Sequence, residues 1–283
     1  MRQPADAVRA QGFRYKHSLG QNFIYDEALL SRLVESAGVE PGDDVLEIGP
    51  GSGSLTRLLA ARARRVLALE LDRDLLPILS QTLCTYPNAS VMQGDVMKVD
   101  LASLIKEAFG EPQRLLLVAN LPYYITTPVL TRLLTERLPI VRAAVMVQKE
   151  VAEKMLAQPG EAGYGMLSVQ CQYYARVREA MRVPASCFTP QPKVDSAFML
   201  LDLRERPPVD APDEARFFGV VKAAFSMRRK TVKNNLQGAL GLSREQANGC
   251  LLEAHIDASS RAETLSLAEF ATLARALGDI KLK

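Results

Sequence analysis

Histidine and cysteine are scarce in this sequence: two of the first, His17 and His255, and four of the second, Cys84, Cys171, Cys187 and Cys250, in 283 residues. The cysteines are scattered with no Cys-x-x-Cys pair. That excludes the usual signals of a disulfide framework or a zinc site, and no metal is expected. Long apolar runs are missing as well. The longest, such as Leu115 to Ala119 and Ala143 to Val147, fall far short of the roughly 20 residues that a membrane span needs, so no membrane association is expected. The first thirty residues mix Arg2, Arg9, Arg14 and Lys16 with Pro4, Asp6 and Gly12 and hold no apolar core segment. This argues against a secretory signal and for the cytoplasm. No internal repeat or low-complexity tract is present. One further absence is local: from Ala215 to Arg244 there is no Asp or Glu, while seven Lys or Arg occur. The formal charge is only +3, but a block of one sign reads as an anion-facing surface.

What the sequence has is a 48% apolar content, enough for a full core, and a length that suggests two unequal domains. After a basic arm (residues 1–22), Asp26 is placed to cap a helix whose apolar positions Leu29, Leu30, Leu33, Val34 and Ala37 share one face. The periodicity then changes. Val45 to Ile48, Val66 to Leu69, Val91-Met92, Leu115 to Ala119 and Ala143 to Val147 are short apolar runs separated by helical patterning. Such alternation predicts βαβ units and a parallel sheet covered on both faces, an α/β fold. Two later runs, Leu167 to Tyr174 and Ser196 to Leu203, lack a strong helix between them and predict an antiparallel pair at one sheet edge. Arg206-Pro207-Pro208, followed by Pro212, interrupts the pattern, because consecutive prolines remove backbone donors and disfavour helix before them. The boundary is therefore placed there: residues 1–205 form the larger domain and 206–283 a small all-helical one. Its helices are expected over 214–224, 229–239, 243–254 and 267–277, with capping boxes at Ser243/Gln246 and Ser266/Glu269.

Glu47-Ile48-Gly49-Pro50-Gly51-Ser52-Gly53 joins the first predicted strand of the sheet to a helix. Gly49 and Gly51 let the chain turn sharply and let its backbone approach a ligand. The spacing is Gly-x-Gly-x-Gly rather than the dinucleotide Gly-x-Gly-x-x-Gly, and Glu47 nearby suits a cationic ligand better than a pyrophosphate. Glu70, at the end of the next strand, is placed to accept two ribose hydroxyls, and Asp95, after the third, to accept from an adenine amino group. Three acids at successive strand ends of an open α/β sheet converge on one crevice and point to a nucleoside-type ligand.

With these residues in view, the set resembles the class I S-adenosylmethionine-dependent methyltransferases, whose domain is Rossmann-like. His17-Ser18-Leu19-Gly20-Gln21-Asn22-Phe23 is similar to the N-terminal motif of the ribosomal RNA adenine N6,N6-dimethyltransferases. The resemblance runs from about residue 12 into the C-terminal helices. It implies S-adenosylmethionine as cofactor, contacted by Asn22, Ile24, Gly49, Glu70, Asp95 and Asn120. Asn120-Leu121-Pro122-Tyr123 follows the fourth predicted strand, at the same sheet edge. An adenine amine is a poor nucleophile because its lone pair is delocalised into the ring. The Asn120 side-chain oxygen and the Leu121 carbonyl can accept both amine hydrogens, Pro122 can fix the carbonyl's direction, and Tyr123 can stack on the base. Phe188-Thr189-Pro190-Gln191-Pro192-Lys193-Val194-Asp195-Ser196 resembles another segment of the family. Its alternate prolines stiffen a loop and present Phe188 either as a second face for the base or as an anchor of the loop in the core.

Arg228, Arg229, Lys230 and Lys233 cluster at a predicted helix start, as backbone phosphates require, and Asn234 adds a polar contact. A base must be flipped or unpaired to reach the tetrad, so a loop of RNA is the expected substrate. The Arg-Arg-Lys-Thr tract and Tyr164-Gly165-x-Leu167-Ser168 resemble the branch of the family that acts on small-subunit rRNA during ribosome assembly. That resemblance implies dimethylation of two adjacent adenines near the 3′ end. It makes the rRNA and the assembling small subunit the partners, and because nothing in the sequence points to a dimer seam a monomer is expected. Two alternatives stand beside it: a large-subunit rRNA dimethyltransferase of the macrolide-resistance type, in which the C-terminal region is typically shorter, and a non-catalytic assembly or transcription factor of the same fold. DNA adenine methylation is disfavoured, since no DNA-reading helix motif is evident.

Overall fold

The computed structural model of the chain describes residues 4–16, 19–211 and 213–278. His17 and Ser18 of the N-terminal motif, Arg2 and the side chain of Arg9 in the basic arm, and Pro212 at the expected boundary lie outside the described residues. In chain order the elements are α1 (Pro4–Ala10), β1 (Phe23–Ile24), α2 (Glu27–Ala37), β2 (Asp44–Ile48), α3 (Ser54–Ala60), β3 (Arg65–Glu70), α4 (Leu76–Leu83), β4 (Ala89–Gln93), α5 (Leu101–Phe109), β5 (Leu115–Asn120), α6 (Thr126–Thr135), β6 (Ile140–Gln148), α7 (Lys149–Leu156), α8 (Met166–Tyr174), β7 (Ala175–Val183), β8 (Phe188–Thr189), β9 (Ser196–Leu203), α9 (Glu214–Ala224), α10 (Val232–Leu240), α11 (Arg244–Glu253) and α12 (Leu267–Ala276). No helix among the described residues is long and apolar enough to cross a membrane.

The main sheet runs β4-β3-β2-β5-β6-β9-β7. β2 pairs in parallel with both β3 and β5, β3 with β4, and β5 with β6, while β9 runs antiparallel to β6. The chain thus starts at β2 and builds outward in both directions, which leaves a topological switch point between the carboxyl ends of β2 and β5. Continuous apolar runs suit strands covered on both faces. Val45, Leu116, Val118, Ala144 and Met146 pack into one cluster with Leu30, Leu33, Leu55 and Leu59 of α2 and α3. Leu46, Leu115 and Leu117, of the opposite parity, are equally buried.

Local signals set the helix ends. Asp26 accepts from the Leu29 amide at 3.0 Å to start α2, and Gly38 at φ 71° ends it. The capping boxes at Ser243/Gln246 and Ser266/Glu269 form as expected. Two expectations fail. Residues 167–174 are not a strand but lie in α8, and the edge strand is β7, the segment that follows. In addition, α10 begins at Val232 with Thr231 as its cap, so Arg228 to Lys230 precede the helix rather than open it.

Contacts group the chain into two compact units, one of Met1–Ala152 with Arg176–Leu203 and the other of Glu153–Ala175 with Arg204–Lys283. The boundary expected at 206 differs from this grouping, because 153–175 joins the helical unit. There the Tyr164 hydroxyl donates to the Leu265 carbonyl at 2.8 Å, and Tyr173 stacks on Phe217 with centroids 4.8 Å apart.

Candidate active site

The switch point opens as a cleft, with about 710 Å³ of space among the residues that line it once the part open to solvent is counted. Asn22, Gly49, Gly51, Glu70, Asp95, Asn120, Leu121, Pro122 and Tyr123 all line it. From Gly49 to Tyr123 these residues meet because each follows, or ends, a strand that stops at this edge, whereas Asn22 precedes β1 and is joined to the set through its carbonyl. The turn after β2 is tight: φ is 70° at Gly49, 59° at Gly51 and 81° at Gly53. Only glycine takes such angles without strain. At Gly49 a Cβ would meet only the Asn120 carbonyl and Pro122 at 3.9 Å, in the cleft, whereas at Gly51 it would strike the Phe23 ring at 2.8 Å.

Glu70 ends β3 almost wholly buried. Its Oε2 accepts from the Gly51 amide at 3.1 Å and its Oε1 from the Asp72 amide at 2.8 Å. Burial nevertheless pushes its carboxyl up to about 7, the nearby Asp72 charge working the same way. Asp95 stands at the rim, where its Oδ1 accepts from the Met97 amide at 2.9 Å and Lys98 lies 3.7 Å away. Behind Gly49, a smaller cavity reaches Glu47, Ser52, Asn120 and Phe198. Glu47 is 1% exposed, and its Oε2 is buried without a hydrogen-bond partner among the described residues. Burial, opposed by the Thr56 hydroxyl and reinforced by the Glu70 charge, pushes it up to about 8.

In the tetrad, the Asn120 amide nitrogen donates to the Asn22 carbonyl at 2.8 Å. This turns the amide so that Oδ1 is the atom offered to a ligand. The Pro122 carbonyl accepts from the Ile125 amide at 3.2 Å and the Thr126 hydroxyl at 3.1 Å, which locks the following turn. Tyr123 is half-buried, with its hydroxyl 2.7 Å from that of Ser196 at the start of β9, and burial raises its phenol above the ordinary range.

Two expected site residues have their side chains in the core. The Ile24 side chain lies in the core with Leu30 and Phe198 rather than in the cleft. Phe188 is 3% exposed and packs in the same cluster, its backbone paired with that of Ile24. It is the loop anchor of the two readings, because the two-residue pairing of β1 with β8 turns its ring inward. No ring face is presented there to a base.

In the helical unit, Arg228, Arg229 and Lys230 are exposed on the loop between α9 and α10, and Lys233 is half-buried. Asn235, 4% exposed, donates to the carbonyls of Ala224 and Met227 at 2.5 and 3.1 Å and so fixes that loop. Sequence reading singled out its exposed neighbour Asn234 and missed it. It also missed Tyr124, 52% exposed at the cleft mouth, and Ser196, although Ser196 closes the proline-rich segment.

The group implied by this cleft fits it chemically. A buried carboxylate held by two amides suits a diol, a rim carboxylate suits an amine, and Ile48, Leu69, Leu75, Val96 and Ile125 offer apolar walls for a base. Glu47 stands behind the cleft, in the smaller cavity, with its Oε2 left unpartnered among the described residues.

Comparison with known proteins agrees. The model of the family described as ribosomal RNA adenine dimethylase matches residues 12–275. The chain is 48% identical over 275 residues to the ribosomal RNA small subunit methyltransferase A of Bacillus mycoides (strain KBAB4), covering 96% of this chain and 94% of that one. The protein of the same description from Bacillus anthracis (strain A0248) gives the same figures. Among solved structures, a dimethyladenosine transferase from Plasmodium falciparum superposes with a TM-score of 0.73 at 25% identity, over 89% of this chain and 95% of that one. The 23S rRNA methyltransferase ErmE gives 0.67 at 27% identity, over 90% and 99%.

Proposed function

The chain belongs to the ribosomal RNA adenine dimethylase family, a family of S-adenosylmethionine-dependent methyltransferases, and from that premise we propose that it dimethylates the N6 amines of two adjacent adenines in a loop near the 3′ end of small-subunit rRNA. The observation that carries the reading is the meeting of Glu70, Asp95, Gly49 and the tetrad in one cleft at the switch point. S-adenosylmethionine supplies an electrophilic methyl group on a sulfonium. Gly49 and Gly51 bring backbone close to it, Glu70 takes the ribose hydroxyls, Asp95 the adenine amine of the cofactor, and Asn22 lines the wall beside Asn120. Asn120 Oδ1 and the Leu121 carbonyl accept the two hydrogens of the target amine, drawing its lone pair out of conjugation, while Tyr123 stacks on the base. The product proton is acidic enough to pass to water, so positioning and electrostatic complementarity carry the rate.

Arg228, Arg229, Lys230 and Lys233 hold phosphates, with the helical unit as the RNA-binding part. The chain works as a monomer in the cytoplasm on the assembling small subunit. The helical region by itself does not separate this reading from large-subunit methylation, since ErmE is matched over nearly its whole length. The 48% identity to small-subunit enzymes favours the former. Methyl-transfer assays on small- and large-subunit precursor particles decide it. Label confined to the small subunit, with N6,N6-dimethyladenine at two adjacent positions by mass spectrometry, is expected. Label confined to the large subunit overturns the reading.

A further inference from the structure

Asp72 lies two residues beyond Glu70, with a side chain only 2% exposed. Its Oδ1 accepts from Lys16 Nζ at 2.5 Å and from the Asp74 amide at 3.1 Å, and its Oδ2 from Gln21 Nε2 at 2.7 Å. Gln21 in turn accepts the Lys16 amide on its Oε1 at 2.8 Å, and Lys16 Nζ also reaches Asp74 at 2.6 Å. The backbone amide of this same Asp72 is one of the two donors that orient the Glu70 carboxylate. The segment that carries Lys16 and Gln21 continues directly to Asn22, whose carbonyl holds the Asn120 amide, and to Phe23, whose ring fills the space beside Gly51. Lys16 itself does not line the cleft.

We infer that Lys16, Gln21 and Asp72 are positioning residues that set the Glu70 carboxylate and fix it in register with Asn120, so that cofactor grip and amine acceptor are held as one assembly. The physical reason is the cost of a buried carboxylate left without its cation. Deprived of Lys16, Asp72 carries an uncompensated charge two residues from another acid, and the 70–74 turn relaxes to solvate it. Glu70 then loses the amide that aims it. The inference rests on the cofactor reading above. It goes further in assigning a role in cofactor affinity to a residue that does not touch the cofactor.

The test uses the full chain and S-adenosylhomocysteine, with affinity measured by calorimetry. Lys16→Met is expected to weaken binding about tenfold while Lys16→Arg stays within about twofold of the parent, as loss and retention of a charge partner require. In an Asp72→Asn background, Lys16→Met should add less than about twofold, the non-additivity of residues acting together. The KM for S-adenosylmethionine should rise with little change in kcat. A Lys16→Met protein that binds within twofold of the parent overturns the inference, whatever its thermal midpoint, because a merely structural staple would shift the midpoint alone. If the parent chain itself fails to bind S-adenosylhomocysteine, the cofactor reading falls instead.

Discussion

Tyr123 is held at its hydroxyl by Ser196 while its ring lines the cleft, and the two ends separate in mutagenesis. Tyr123→Phe keeps the ring and loses one hydrogen bond, about 0.5–1.5 kcal/mol of stability, with kcat/KM nearly unchanged. Tyr123→Ala loses the stacking surface, about 1–3 kcal/mol, and kcat/KM for RNA should fall about 5- to 150-fold in single-turnover assays. Equal losses in the two variants would remove the stacking role. The buried acids make a second prediction. Glu70 and Glu47 are raised by burial from 4.5 to about 7 and about 8, so each keeps its proton in the folded chain over a pH range where the unfolded chain has lost it. The stability this brings is complete below about 4.5 and is lost as pH rises through about 7 and then about 8. Urea denaturation of the ligand-free protein should show that decline, and Glu47→Gln should remove its upper part. Affinity for the cationic cofactor should run the other way, tightening as the two carboxylates ionise, and Glu47→Gln should bind it more weakly above pH 8. A pH-independent affinity would contradict these roles.

Among the elements, the turn between β2 and α3 tests two glycines against each other. A side chain at Gly51 meets the Phe23 ring and at Gly49 meets the open cleft, both at positive φ. Gly51→Ala should therefore cost more stability, well over the 1–2 kcal/mol of a left-handed backbone alone. Gly49→Ala should lose cofactor affinity out of proportion to its stability loss, as thermal melts and calorimetry on both variants would show. The strands flanking this turn were readable because strands buried on both faces leave unbroken apolar runs, as in Leu115 to Ala119. The helix α8 was not. Leu167, Val169, Cys171, Tyr173 and Tyr174 are buried around its whole circumference, so it carries no polar stripe to betray a 3.6-residue period. Its aromatic and β-branched content mimics a strand. The real edge strand, β7, was hidden by Arg176, Arg178, Glu179 and Arg182 interleaved among its apolar residues, as solvent-facing edges allow. In the site, Gly49, Glu70, Asp95 and the tetrad were legible because each sits where an apolar run stops. Asp72 and Ser196 were not, since Lys16, Gln21 and Tyr123 are 51 or more positions away and only the folded chain brings them together. Asn235 was not because its side chain bonds only the backbone carbonyls of Ala224 and Met227, which leave no side-chain signature.

At the scale of the whole molecule, affinity for RNA and affinity for cofactor should be separable. Replacing Arg228, Arg229 and Lys230 by Ala removes up to three phosphate contacts, and the slope of log K against log salt should become shallower by about 2. Affinity for S-adenosylhomocysteine should stay unchanged. A slope identical to the parent's would exclude the loop from the interface. The helical unit itself is discontinuous in sequence, taking Glu153–Ala175 from mid-chain and Arg204–Lys283 from the end. Phe217, which stacks on Tyr173, follows it by 44 residues. During synthesis, at roughly 5–20 residues per second, α8 leaves the ribosome about 2–9 seconds before its cover is made and must wait with its aromatic face bare. The same split bears on recombination. An exchange between relatives at residue 206 would pair one parent's α8 with the other's helices, so the transplantable cassette is two separate stretches of gene.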